Sequence, residues 1–191
     1  MHWTIGIDEA GRGPLAGPVS VGVFAVPDTF DFTHLAGIRD SKKLSEKQRD
    51  AWYEQLNDIN DARHAVSLVD AHHIDTHGIV HAIRTAMKQA LTQLALDPTE
   101  CTILLDGGLK APEHYTSQTT IIKGDATEPV ISAAAMLAKV TRDRYMIEQA
   151  KKFPQYSFEQ HKGYGTQAHR EAIATHGLSK LHRASFCTRC M

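Results

Sequence analysis

The sequence predicts one α/β domain, a mixed central sheet flanked by helices with a helical C-terminal part, and three observations predict it. Short β-rich runs alternate with longer helical patterns, the arrangement of a sheet covered by helices. Acidic residues recur where the β-rich runs end. The 191 residues, 42% hydrophobic and 23% charged, can fill a single core, which argues against a disordered, collagen-like or disulfide-stapled chain.

Each element has its own signal. Trp3 to Asp8 and Pro18 to Val26 read as strands joined by a Gly/Pro loop over 10–17. Ser45-Glu-Lys-Gln48 is a capping box that starts a helix, and Trp52, Leu56 and Ile59 follow at helical spacing. Arg63 to Val69 is a third strand. Ile79, Ala82, Ile83, Ala86, Met87, Ala90, Leu91 and Leu94 then mark one face of a long helix that stops before Pro98. Cys101 to Leu105 is a fourth strand ending at Asp106, and Thr119 to Lys123 a fifth leading to Gly124 and Asp125. Pro129 suits the first turn of a helix running to about Ala150, whose Ala133, Ala134, Ala135 and Ala138 permit close approach to a sheet. Thr166 as N-cap and Gly177 just past the end bound a final helix, which follows the loop Lys162-Gly-Tyr-Gly165. The whole of 1–191 therefore reads as one domain: core sheet and helices over about 1–150, a basic helical part over about 151–191.

The longest apolar run, around Val19 to Val26, is far shorter than the roughly 20 residues that span a bilayer. Asp8 and Glu9 interrupt the N-terminus before a secretory h-region forms, so a cytoplasmic setting is expected. Three cysteines suit a reducing compartment; Cys187 and Cys190 have ligand-like spacing but no second pair, and a frayed tail is the expectation there. The net charge of -1 is unevenly divided, because residues 139–191 hold ten Lys/Arg against four Asp/Glu. That asymmetry reads either as solvated helix surface or as a polyanion-binding face beside a carboxylate-rich centre.

Asp8, Glu9, Asp106 and Asp125 come from three strand ends, the edge where α/β sheets place their sites. Four converging carboxylates would repel unless divalent cations lay between them, and hard oxygen ligands select Mg²⁺ or Mn²⁺. Acids in turns after strands are also common without any metal. Gly11-Arg-Gly13 with Gly17 imitates a dinucleotide fingerprint, but Pro14 and Pro18 break the helix that should follow and two adjacent acids would repel a pyrophosphate. Close backbone approach to a ligand, with Arg12 free for a phosphate, fits the loop better. His73, His77 and His81 recur every fourth residue without the Glu of a zinc-protease motif, and solvated histidines are expected. Tyr164, between two glycines, reads equally as a stacking ring or as packing.

Asp8-Glu-Ala-Gly-Arg-Gly-Pro-Leu-Ala-Gly-Pro-Val19 resembles the N-terminal signature of the ribonuclease HII family. Further blocks agree in order: Asp40-Ser-Lys-Lys-Leu44, Leu105-Asp-Gly107, Lys123-Gly-Asp125, the segment from Ala133 to Arg144, His161-Lys-Gly-Tyr-Gly-Thr166 and His182-Arg-Ala-Ser-Phe186. The likeness covers nearly the whole chain, departing at Gly108 and Gly78, where an Asn is common in the family. The resemblance implies a ribonuclease H-like fold and endonucleolytic cleavage of RNA in RNA–DNA hybrids and at single ribonucleotides embedded in duplex DNA. It implies two divalent ions, Mg²⁺ or Mn²⁺, during catalysis, and hydrolysis that leaves 3′-hydroxyl and 5′-phosphate ends. The family's metal ligands match Asp8, Glu9, Asp106 and Asp125. Its Gly-Arg-Gly motif, which contacts the ribonucleotide 2′-hydroxyl, matches Gly11, Arg12 and Gly13, and its junction-sensing tyrosine matches Tyr164. Ser41, Lys42, Lys162 and Arg183 are the further substrate-binding expectations, the last two as phosphate contacts on a basic duplex-facing surface. A monomer is expected, and no replication clamp or polymerase contact can be read from the residues. Two other readings are a DNA nuclease or transposase-like enzyme on the same sheet, which would cut all-DNA duplexes, and a binding module that releases no product.

Overall fold

In the computed structural model, which describes residues 1–38 and 44–188, five strands form one mixed sheet in the order β3-β2-β1-β4-β5. Trp3–Ala10 (β1), Val19–Pro27 (β2) and Arg63–Val69 (β3) pair antiparallel, while Cys101–Asp106 (β4) and Ser117–Ile121 (β5) extend the sheet parallel to β1. Seven α-helices complete the described chain: Glu46–Asn57 (α1), Ala71–His77 (α2), Ile79–Leu94 (α3), Gly124–Thr127 (α4), Pro129–Lys152 (α5), Phe158–His161 (α6) and Gln167–His176 (α7).

Period-2 alternation sends Ile5, Ile7, Val19, Val21 and Val23 to one face, where they pack against Ala82, Ile83, Ala86, Met87 and Leu91 of α3. The opposite face is covered by α5, which contributes Val130, Ile131, Ala134 and Leu137, with Leu56 of α1 beside them. Here the helix backbone lies almost on the strands. A Cβ on Gly6 would stand 2.2 Å from the Val130 carbonyl, and one on Gly22 would stand 2.3 Å from the Ala134 oxygen. The backbone of α5 at Val130 and Ala134 thus meets glycines on β1 and β2, and that contact brings α5 to the strand that carries Asp8.

A third cluster, of Ala16, Met146, Phe158, Ile173, Leu181 and Cys187, packs the C-terminal elements against the second half of α5 and the β1–β2 loop. Cys187 is fully buried, so the segment expected to fray is ordered to that point; Cys190 lies outside the described residues. The fifth strand sits two residues earlier than its sequence signal, because Lys123 takes a left-handed conformation (φ 58°) that ends the extended run. No helix among the described residues is long and apolar enough to cross a membrane.

Candidate active site

Ile7 pairs with Leu105 in parallel register, so Asp8 on β1 and Asp106, the last residue of β4, come next to each other. Asp125 arrives by a different route, four residues past β5, in the single turn of α4. Two hydrogen bonds fix that turn: Gly124 N–H donates to Asp106 Oδ1 at 2.7 Å, and Ser132 Oγ–H of α5 donates to the Asp125 carbonyl at 2.8 Å. Carboxylate oxygens of Asp8, Asp106 and Asp125 then lie within 4.8 Å of one another.

Burial is the main force on Asp8, followed by repulsion from Glu9, and together they hold its carboxyl well above the ordinary carboxylate range. Among the described residues, backbone relief comes from the Glu9 N–H, which donates to Oδ1 at 2.7 Å. Glu9 stands outside the trio, with Oε1 3.3 Å from Arg12 Nε. A hard, negatively charged oxygen cage of this kind fits Mg²⁺ or Mn²⁺ and offers nothing to a soft metal.

Asp8 and Glu9 open into a cavity of about 230 Å³ that is lined also by Gly11, Arg12, Gly13, Lys139 and Tyr164, with Ala10 and Ala135 between them. Arg12 and Gly13 are exposed at its rim. Tyr164 is 43% exposed, its ring centroid 5.6 Å from Lys139 Nζ and 5.8 Å from the Arg142 guanidinium. Asp8 and Glu9, the glycine loop and the tyrosine therefore border one space, and Asp106 and Asp125 meet Asp8 beside it. Lys139, which sequence reasoning passed over, lies one helical turn beyond Ala135 and bonds Asp143 at 2.8 Å. The small-residue stripe on α5 was the available signal, since the helix face that reaches the sheet must carry its next side chain to the cleft.

Two phosphate-contact expectations need correction. Arg183 is fully buried and donates to the carbonyls of Gly11, Arg12 and Gly17, so it supports the loop from beneath rather than facing a duplex. The Lys162 side chain is only 11% exposed; its ammonium donates to the Glu159 carbonyl and lies 3.8 Å from Glu46. The basic C-terminal third is not a continuous basic face either: Arg142 is buried, and Lys139, Arg144 and Lys151 are ion-paired. Ser41 and Lys42 lie outside the described residues. His73, His77 and His81 gather at the α2–α3 junction with ring centroids 4.7–5.1 Å apart, and they do not line the acid cavity.

The family model of ribonuclease HII matches residues 5–189. The chain belongs to the ribonuclease HII family. It is 44% identical to the ribonuclease HII of Ruminiclostridium cellulolyticum over 186 residues, covering 97% of this chain and 70% of that one. In structure it is similar to the RNase HII of Archaeoglobus fulgidus, solved in complex with PCNA (TM-score 0.74, 26% identity, 95% of this chain and 93% of the other). The ribonuclease H2 of Pyrococcus horikoshii OT3 is equally close (TM-score 0.75, 25% identity, 98% and 96%). As a ribonuclease HII, the chain is a nuclease, and the reading as a non-catalytic binding module falls away. The mixed five-stranded sheet with flanking helices is the ribonuclease H-like fold.

Proposed function

We propose that this ribonuclease HII hydrolyses the RNA strand of RNA–DNA hybrids and cuts on the 5′ side of single ribonucleotides embedded in duplex DNA. The observation that carries the reading is that Asp8, a member of the carboxylate trio, also lines one cavity with the Gly11–Gly13 loop and Tyr164. Asp8, Asp106 and Asp125, with Glu9 beside them, would hold two divalent ions, Mg²⁺ or Mn²⁺. When bound, such ions activate a water for in-line attack and stabilise the departing O3′, leaving 3′-hydroxyl and 5′-phosphate ends.

The chain's own residues select and orient the substrate. The exposed backbone at Arg12 and Gly13 can approach a 2′-hydroxyl closely, because nothing lies within 4 Å of where a Gly13 Cβ would stand. Lys139, on the cavity wall, offers its charge to a phosphate. Tyr164 stacks on the sugar that follows the ribonucleotide and favours a deoxyribose there. Since water is the nucleophile, the 2′-hydroxyl serves recognition alone, and among the described residues no histidine lines the cavity to act as a base.

The deciding experiment compares a duplex carrying one ribonucleotide, an RNA–DNA hybrid and an all-DNA duplex, each with Mg²⁺, Mn²⁺ or chelator. Cleavage confined to the first two, and lost in chelator, is expected; cleavage of the all-DNA duplex would favour the DNA-nuclease reading. Tyr164→Ala should slow the single-ribonucleotide reaction about tenfold or more, the effect of losing one stacking contact of roughly 1–3 kcal/mol, and should affect the continuous hybrid less.

A further inference from the structure

We propose that Arg142 and Arg183 are positioning residues that lock the 2′-hydroxyl-reading loop and the Tyr164 loop into one rigid unit, and that Arg142 thereby sets the preference for a ribonucleotide–deoxyribonucleotide junction. The inference rests on the substrate reading above and deepens it. Both guanidiniums are fully buried, and among the described residues neither forms an ion pair. A buried cation is costly unless its donors are satisfied. Here six backbone carbonyls satisfy them, and those carbonyls belong to the two recognition loops.

Arg142, rooted in α5, donates to Ala16 and Pro18 at 3.0 and 2.8 Å and, with its remaining branch, to Lys162 at 2.9 Å. One planar side chain thus spans from the end of the glycine loop to the residue two before Tyr164. Arg183 donates to Gly11, Arg12 and Gly17 at 2.7–3.0 Å, clasping both ends of the glycine loop. Backbone bonds continue the same seam: Leu15 N–H donates to Gly163 at 2.9 Å, and Arg183 N–H donates to Leu15 at 2.8 Å. At Gly163, held at φ 87°, an added Cβ would stand 2.3 Å from the Ala16 oxygen, so the loops touch without room for a side chain. Burial and the neighbouring Arg142 push Arg183 down to about 9, which still leaves it charged at neutral pH.

Only arginine has a rigid fork that can reach three carbonyls at once; lysine keeps the charge but not the geometry. The test therefore uses Arg142→Lys and Arg183→Lys, each assayed below its melting temperature on the single-ribonucleotide duplex and the RNA–DNA hybrid. Arg142→Lys should lower kcat/KM on the single-ribonucleotide duplex about tenfold and on the hybrid by less than about threefold, the pattern of a misplaced stacking ring. Its loss should not multiply with that of Tyr164→Ala, because both act through the same ring. Arg183→Lys, which disturbs ribose reading common to both substrates, should lower both alike. A lowered melting temperature with the wild-type substrate ratio, or multiplying losses in the double variant, would overturn the proposal and leave both arginines as packing. Gly163→Ala wedges the same seam from the other side and should shift the ratio in the same direction. Hydrogen exchange on the wild type gives an answer without any variant: residues 11–18 and 162–166 should open together as one unit, and independent opening overturns the coupling. Failure of the wild type to cut either substrate would instead overturn the substrate reading itself.

Discussion

The acidic end of the cleft and its C-terminal support both bury charge, but Asp8 is opposed by its carboxylate neighbours whereas the support's guanidiniums are met by backbone carbonyls. Asp8 is buried among other carboxylates, with the Glu9 N–H in return among the described residues, and its carboxyl is accordingly forced upward. Arg142 and Arg183 are buried just as deeply, and every guanidinium nitrogen of each meets a carbonyl. The histidines of the support follow the same rule: Ser179 N–H donates to His182 Nδ1, which leaves His182 Nε2 to face His169 Nε2 and His169 Nδ1 to face the Tyr164 carbonyl. Charge that the fold leaves short of partners marks the place a ligand must complete, whereas charge that the fold satisfies marks the frame around it.

The largest effect should therefore come from the acidic end, where carboxylates crowd one another. Asp106→Asn or Asp125→Asn should cut turnover by more than about a hundredfold, since even outer-shell changes at metal centres typically cost 10–100-fold, while leaving the apo protein folded. Steady-state kinetics beside thermal melting decides it; a large loss of apo stability would move these acids into the frame. Gly13→Ala should come next, with roughly a tenfold to hundredfold loss on ribonucleotide-containing substrates and an unchanged melting temperature. Its Cβ enters open cleft, whereas one on Gly11 would stand 2.1 Å from Arg142 Nε. A melting temperature that falls for Gly13→Ala as well would erase the distinction between a glycine that faces the substrate and one that faces the support.

The same contrast explains what could be read from the sequence. The strands, the helices α1, α3, α5 and α7 and their caps follow from period and capping, which are local; the Ser45 box and the Thr166 cap are present as the sequence predicts. Asp8, Glu9 and Asp106 were legible because they sit at or near strand ends, where topology collects side chains, whereas Asp125 reaches them only through the short turn of α4. Arg183 was misjudged because a charge count treats every basic residue as solvated, and nothing local distinguishes an arginine that a loop 166–172 positions away in sequence will engage. Lys139 was passed over for a related reason: its role depends on how near α5 approaches β1, which glycine and alanine positions on two different elements decide together.

A smaller effect, on stability, sharpens the comparison. Asp8→Asn removes a buried anion that other carboxylates oppose, so the metal-free variant should melt above wild type at pH 7. A gain of about 1 kcal/mol would appear as roughly 2–4 °C in a chain of this size. Added Mg²⁺ or Mn²⁺ should stabilise wild type more than the variant. An apo variant that melts lower would mean that the carboxylate makes net favourable contacts in the absence of any ion.

The smallest and most discriminating effect is the pH dependence of the metal-free protein, where the two regions should pull in opposite directions. Asp8 has a folded-state pKa raised above its unfolded value near 3.8, so its penalty is absent below that value and complete above the folded one. Acidification through this range therefore stabilises. His182 is pushed down to about 4, mainly by burial and then by His169, so it costs nothing above its ordinary 6.5 and the full penalty is reached only below about 4. Acidification through that range destabilises. The hydrogen bonds give the reason: protonating Nδ1 of His182 would set a donor against the Ser179 N–H, and the next available nitrogen already faces His169. Melting temperatures between pH 7 and 4 for wild type, Asp8→Asn and His182→Gln separate the contributions. Relative to wild type, Asp8→Asn should fall more steeply on acidification and His182→Gln less steeply. Parallel curves for all three would mean that neither buried group keeps its shifted ionisation in the folded chain, and the contrast between an unsatisfied site and a satisfied frame would lose its electrostatic basis.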